Sequence, residues 1–198
     1  MKPKRLTRAQ RKEQTREQLF EAARTMFVKK GLAATSVEDI ASTAGYTRGA
    51  FYSNFDGKLE LLLELLRRDH DSAQAKLRAI VENGGGREQM KARAIAHYKA
   101  YFQDCASFPL WIEATLLACR DTAFQERFNA FRHEKLRRVS EYLRALTEHD
   151  GNALPLQPDA LALGLVSLCD GVRLFRTSDP QMASDATIDM LLAGLFPA

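Results

Sequence analysis

The chain has 198 residues, 45% hydrophobic and 27% charged, with a net charge of +4. That length allows one ordinary domain or a small domain joined to a larger one, and the apolar share is enough for a core, which argues against wholesale disorder. The basic start runs into more charge rather than an apolar stretch, and no run approaches the ~18 apolar residues of a membrane span. A cytoplasmic protein with no membrane partner is expected.

The charge is unevenly placed. Residues 1–60 hold 12 Lys/Arg against 7 Asp/Glu, whereas residues 61–198 hold 17 against 18. At the very start, Lys2, Lys4, Arg5, Arg8, Arg11, Lys12 and Arg16 meet only Glu13. A basic end on a near-neutral body suits a polyanion partner, although a solvated tail has the same composition.

The pattern is helical throughout, so the fold class is all-α. Leu19, Phe20, Ala23, Met26 and Phe27 recur at three-to-four spacing, and Gly31 closes that run. Thr35 with Glu38 reads as a capping box opening a second helix, with Val37, Ile40 and Ala41 inward. Gly45 suits the left-handed conformation that ends it, and Thr47 caps a third helix with Ala50, Phe51 and Phe55 inward. A connecting helix over 58–82 carries Leu62, Leu66, Leu77 and Ile80, and the glycine run at 83–86 is the clearest linker. Further helices are predicted at 87–105, 109–119, 122–147, 157–177 and 184–196. The boundaries expected are therefore a basic arm and small helical domain over 1–60 and a larger bundle over 61–198.

Two short helices joined by a glycine turn form a helix-turn-helix, whose second helix enters the DNA major groove. That role explains the odd composition of residues 47–54. Arg48 can reach guanine or a phosphate, Gly49 allows close backbone approach, and Ala50 can sit inward or touch a thymine methyl. The hydroxyls of Tyr52 and Ser53 and the amide of Asn54 suit phosphate. Thr35, Ser36 and Thr47 sit at helix starts, where free N–H groups attract anions. A helical hairpin that never touches DNA would show the same geometry.

From about Arg16 to Leu62 the residues resemble the TetR-type transcriptional regulators. The resemblance is carried by "LFEAARTMFVKKG", "TSVEDIASTAG", "YTRGAFYSNF" and "GKLELL". It implies a homodimer that binds a palindromic operator in double-stranded DNA, usually as a repressor, and is released by a small-molecule ligand. It further implies that Lys58 contacts phosphate. Leu32 stands where an aromatic is common, Tyr46 where Val is common, and Ser53 and Asn54 replace larger side chains, so the operator cannot be taken from a relative.

Beyond residue 87 the patterns carry the argument. Leu161, Leu165, Leu168, Val172 and Phe175 repeat at 4-3-4-3 beside a small-residue stripe that includes Gly164 and Gly171. With Ile188, Leu191, Leu192 and Leu195 of the last helix they are expected to form a four-helix dimer interface, since a palindrome needs two-fold symmetry. Packing within one chain would use the same residues. A ligand pocket is expected among helices 87–147, with His97, Tyr101, Cys105, Phe108, Trp111, Glu113, Phe128 and Phe131 as candidate lining. Aromatics at this spacing also serve as plain core. Glu113 amid apolar neighbours needs a partner, either an Arg or a cationic ligand.

His70, His97, His133 and His149 are dispersed with no metal-ligand spacing, and no glycine-rich phosphate loop or catalytic constellation is present. No metal, no catalytic residue and no cofactor beyond an unknown small-molecule effector is expected. Cys105, Cys119 and Cys169 lack CxxC spacing and sit among apolar residues, so free buried thiols are expected. Two alternatives remain on the same fold: a thiol redox-sensing regulator, and an activator rather than a repressor.

Overall fold

A computed structural model describes residues 7–82, 89, 92–93, 95–97, 100, 107–150, 156–179, 181 and 183–195. It excludes side-chain detail at 77, 80, 81, 145–150, 192, 193 and 195. Among the described residues the regular structure is all helix. The elements are α1 (Arg8–Ala34), α2 (Val37–Thr43), α3 (Arg48–Tyr52), α4 (Lys58–Glu82), α5 (Phe108–Ala118), α6 (Thr122–Asp150), α7 (Pro158–Ser178) and α8 (Asp185–Leu195). From α5 onward the bounds lie within three residues of those the periodicity predicts. The linker at 83–86, the arm before residue 7 and the side chains of Leu77 and Ile80 lie outside the described residues. None of the described helices is long and apolar enough to cross a membrane.

The chain divides into two compact units, one of Met1–Arg67 with Pro109–Phe124, the other of Arg68–Phe108 with Gln125–Ala198. The stretch Pro109–Phe124, read from sequence as part of the larger bundle, therefore clusters with the N-terminal helices. In the first unit the apolar stripe of α1 (Leu19, Phe20, Ala23, Met26, Phe27) is buried with Ile40 and Ala41 of α2, Phe51 of α3, and Phe55. Leu61, Leu62 and Leu65 of α4 are buried in the same unit. Burial of such side chains stabilises by about 1.5–3 kcal/mol each, and it holds α3, which at five residues could not persist alone.

In the second unit α6 and α7 share a core of Val139, Leu143, Leu161, Ala162 and Leu165. A neighbouring cluster joins Cys169, Val172, Ala183 and Ile188, with Tyr142 and Leu168 against it. Ion pairs bind the same two helices, Lys135 to Asp170 at 3.6 Å and Arg144 to Asp159 at 2.6 Å, while Arg138 pairs with Asp71 of α4 and with Glu134 of its own helix.

Candidate nucleic-acid interface

The corners before and after α2 use the glycines as the sequence predicts. Gly31 has φ 77° and breaks α1 three residues before its end, and Gly45 has φ 75° just after α2. Only glycine takes such angles without strain. Tyr46 then fastens the turn to α1, its hydroxyl donating to Gln18 Oε1 at 2.5 Å.

The cap of α2 is shifted by one residue from the expected one. Ser36, not Thr35, is the N-cap, and its box partner is Asp39, not Glu38: Ser36 Oγ accepts from the Asp39 N–H, and the Ser36 N–H donates to Asp39 Oδ2, both at 3.0 Å. The bond from the Ser36 N–H, with Lys30 at 3.2 Å, holds the Asp39 carboxyl down at about 2. Thr35 is instead 1% exposed, and its hydroxyl donates to the carbonyl of Gly31 at 2.7 Å. It closes the end of α1 and is not available to a phosphate. The start of α2 also carries Glu38 and Asp39, so it already has its negative charge.

α3 presents a divided surface. Phe51 and Phe55 are buried with ring centroids 5.8 Å apart, anchoring the helix from below. Thr47 caps it by accepting from the Ala50 N–H at 3.2 Å, which leaves its hydroxyl proton free to donate outward. Arg48, Gly49, Tyr52 and Ser53 are exposed and Ala50 is half-buried. A side chain at Gly49 would meet only Thr47 Oγ1, at 3.8 Å. The Arg48 guanidinium lies 5.5 Å from the Tyr52 ring centroid and pairs with Glu38 at 2.8 Å. The exposed pair contributes little and parts easily.

Three more expected phosphate contacts have other partners, the first being the Ser53 hydroxyl, which donates to Gly49 O at 2.9 Å. The Asn54 amide is turned back onto the helix, Nδ2 donating to Ala50 O at 2.8 Å with Oδ1 buried. Lys58 Nζ donates to Leu32 O at 2.8 Å and Thr35 O at 2.9 Å, with Ala33 O at 3.5 Å, so its three N–H directions face backbone carbonyls. Arg16, counted by sequence with the basic arm, lies 4.1 Å over the Phe55 ring, donates to Asn54 O at 2.6 Å and pairs with Glu64. No spacing rule reveals that role, because the partners lie 38 and 48 residues away.

The expected pocket and interface residues are also redistributed. The partner of Glu113 is a backbone group: Oε2 accepts the Leu32 N–H at 2.8 Å. Glu113 and Trp111 belong to the first unit, whereas His97, Phe108, Phe128 and Phe131 belong to the second. There Phe128 and Phe131 are fully buried with centroids 6.4 Å apart, and the buried Arg173 guanidinium lies 4.5 Å over Phe108. The sequence reading missed His70, which is 9% exposed, stands edge-on to Phe131 at 5.7 Å and leaves Nε2 without a hydrogen-bond partner among the described residues. Tyr101 and Cys105 lie outside the described residues.

Leu161, Leu165, Val172 and Ile188 fill the chain's own core, so they cannot form the face offered to a second copy. Leu168 packs beside them. What α7 exposes is Leu163, Gly164, Leu174 and Phe175, with Gly171 half-buried, and α8 adds Met190 and Leu191. Among the described residues, nothing beyond the helix's own backbone and the adjacent residues is within 4 Å of where a Cβ would stand at Gly164 or Gly171. Leu192 and Leu195 lie outside the described side chains. Cys119 is exposed rather than buried, while burial pushes the Cys169 thiol up to about 12, which leaves it protonated and unreactive.

Comparison with known proteins bears on the same elements. Residues 19–65 match the family model of bacterial regulatory proteins of the tetR family, and residues 86–195 match that of the C-terminal region of BetI-type transcriptional repressors. The chain is 38% identical over 86 residues to the HTH-type transcriptional repressor KstR2 of Rhodococcus jostii, covering 43% of this chain and 42% of that protein. It is 24% identical over 180 residues to the HTH-type transcriptional activator FasR of Mycolicibacterium smegmatis, covering 90% and 80%. The match thus spans less than half the length of KstR2. Among solved structures, Salmonella enterica GusR superposes with a TM-score of 0.77 at 20% identity, over 98% of this chain and all of that one. A SmeT–triclosan complex superposes with 0.65 at 25% identity, over 91% of each.

Proposed function

Because this chain belongs to the tetR family of bacterial regulatory proteins, and is therefore a transcriptional regulator rather than an enzyme, we propose that it binds a palindromic operator as a homodimer in the cytoplasm, represses the adjacent gene, and is released by a small molecule. The observation that carries this is the division of α3 into a buried anchor, Phe51, and an exposed face of Arg48, Gly49, Tyr52 and Ser53. Arg48 at the start of the helix reads a base edge, and Tyr52 and Thr47 hold phosphate. Ser36 adds a weaker contact beside its carboxylates.

Dimerisation is supported by the exposed apolar residues of α7 and α8, among them Phe175 at 51% exposure, beside glycines that allow close helix approach. Repression follows the KstR2 and BetI-type likenesses, with activation the other outcome, as in FasR. Release by a small molecule is supported by the likeness to SmeT, solved in complex with triclosan. Such a ligand acts only by binding the two states unequally.

The test is selection of bound fragments from genomic DNA by the purified chain, followed by affinity measurement across salt concentrations. One palindrome beside a promoter is expected. Weak, sequence-blind binding lost with salt would reduce the basic end to a polyanion patch and refute the proposal.

A further inference from the structure

The corner between α1 and α2 is held by charged side chains from two distant parts of the chain. Glu113 on α5 accepts the Leu32 N–H at 2.8 Å, across 81 residues of sequence. Lys58, the first residue of α4, donates to the carbonyl of that same Leu32 at 2.8 Å and to that of Thr35 at 2.9 Å. Both polar groups of one peptide residue are thus clasped by opposite charges. Thr35 tightens the corner by donating to Gly31 O. Gly31 makes the approach possible: a Cβ there would lie 2.9 Å from Glu113 Oε1. The next residue after the clasp, Ser36, is the N-cap that starts α2, and α2 leads through Gly45 to α3.

Hydrogen bonds with one charged partner are stronger and more directional than neutral ones. A carboxylate and an ammonium fixed on Leu32 therefore limit the angles at which α2 can leave α1. We propose that Glu113 and Lys58 are positioning residues for operator binding: they touch no DNA, and they set affinity by holding the α1–α2 corner so that α3 is presented correctly. This inference rests on the reading that α3 enters a groove.

The electrostatics make the proposal testable, because simple charge arguments predict the opposite sign at one site. Removing the negative Glu113 from a DNA-binding unit should tighten binding to a polyanion, whereas loss of positioning weakens it. At the other site, a phosphate-bonded Lys58 would lower the salt slope by about 1 when replaced, whereas a positioning Lys58 leaves the slope unchanged.

The experiment measures anisotropy of a labelled duplex, enriched from genomic DNA by the full chain, across a salt series. Glu113→Ala, which loses one charged hydrogen bond, is expected to weaken binding about tenfold, and Lys58→Ala, which loses at least two, by at least as much, with the salt slope unchanged in both. Glu113→Gln, whose amide oxygen still accepts from Leu32, stays within about twofold. Hydrogen exchange at the Leu32 amide accelerates in Glu113→Ala and not in Glu113→Gln. Should Glu113→Ala not fold, Glu113→Asp carries the same prediction, since it keeps the charge but withdraws the carboxylate by one methylene. Unchanged or tighter binding by Glu113→Ala or Glu113→Asp overturns the proposal, as does a lowered slope for Lys58→Ala. If Arg48→Ala also leaves affinity and sequence preference untouched, the reading of α3 itself fails, and the positioning role falls with it.

Discussion

His70 makes stability depend on pH in a window that can be worked out from its surroundings. Burial against Phe131 disfavours the charged imidazolium, and the nearby Lys135 ammonium adds to this, holding the group down at about 4 from an ordinary 6.5. Asp71 and Glu134 act in the opposite sense and Arg138 with Lys135, and burial is the largest cause. In the unfolded chain His70 takes a proton as pH falls through about 6.5; in the folded chain it refuses one until about 4. The unfolded state therefore binds more protons between these values, and stability falls as pH drops through the window. It is unaffected above about 6.5, and the full loss of about 3 kcal/mol is reached below about 4. Urea unfolding at pH 7.5, 6 and 5 checks this, with His70→Leu as the partner variant. The wild-type chain is expected to lose stability across the series faster than His70→Leu, which also removes a buried nitrogen without a hydrogen-bond partner among the described residues. Parallel loss in both proteins would refute the assignment and leave His97, also pushed down by burial, as the group responsible.

Other outcomes follow from the first unit. Phe51→Ala removes the buried anchor of α3 and should cost about 3–5 kcal/mol in chemical denaturation. Arg16→Ala loses the hydrogen bond to Asn54, the ion pair with Glu64 and the contact with Phe55, for about 1.5–3 kcal/mol in the same assay. Glu38→Ala releases Arg48 from its exposed pair and removes a negative charge near α3, so operator affinity measured at low salt should rise. A fall would mean that Glu38 holds Arg48 in its reading position.

The fold was legible because its signals are local. The period of Leu19, Phe20, Ala23, Met26 and Phe27 gives the buried face of α1, and Gly31 and Gly45 mark turns that only glycine makes cheaply. The exposed face of α3 was equally legible, since Arg48, Gly49, Tyr52 and Ser53 have no place in a core. What misled was the choice between near-equivalent partners. Thr35 and Ser36 can each cap a helix, and Glu38 and Asp39 can each complete a box; the inward hydroxyl of Thr35 settles the register. A lysine at a helix start suits phosphate or a carbonyl equally, and only the return of α1 beside α4 selects the carbonyls for Lys58. Glu113 was read correctly as a carboxylate needing a partner, but that partner is a backbone N–H far back in sequence, which no periodicity reveals. The 4-3 repeat of α7 was real, yet a repeat does not say whether its own chain or another covers it.

The open space around Gly49 has an evolutionary consequence. The side chains that keep α3 in place, Phe51 and Phe55, share no surface position with those that face outward, and Gly49 could carry a small side chain with only Thr47 Oγ1 in ordinary contact. Mutations at Gly49 or Ser53 therefore change what the helix displays without touching what anchors it. A lineage carrying this chain can drift from one binding sequence to another through folded intermediates, and duplicated copies can separate their targets while keeping one scaffold.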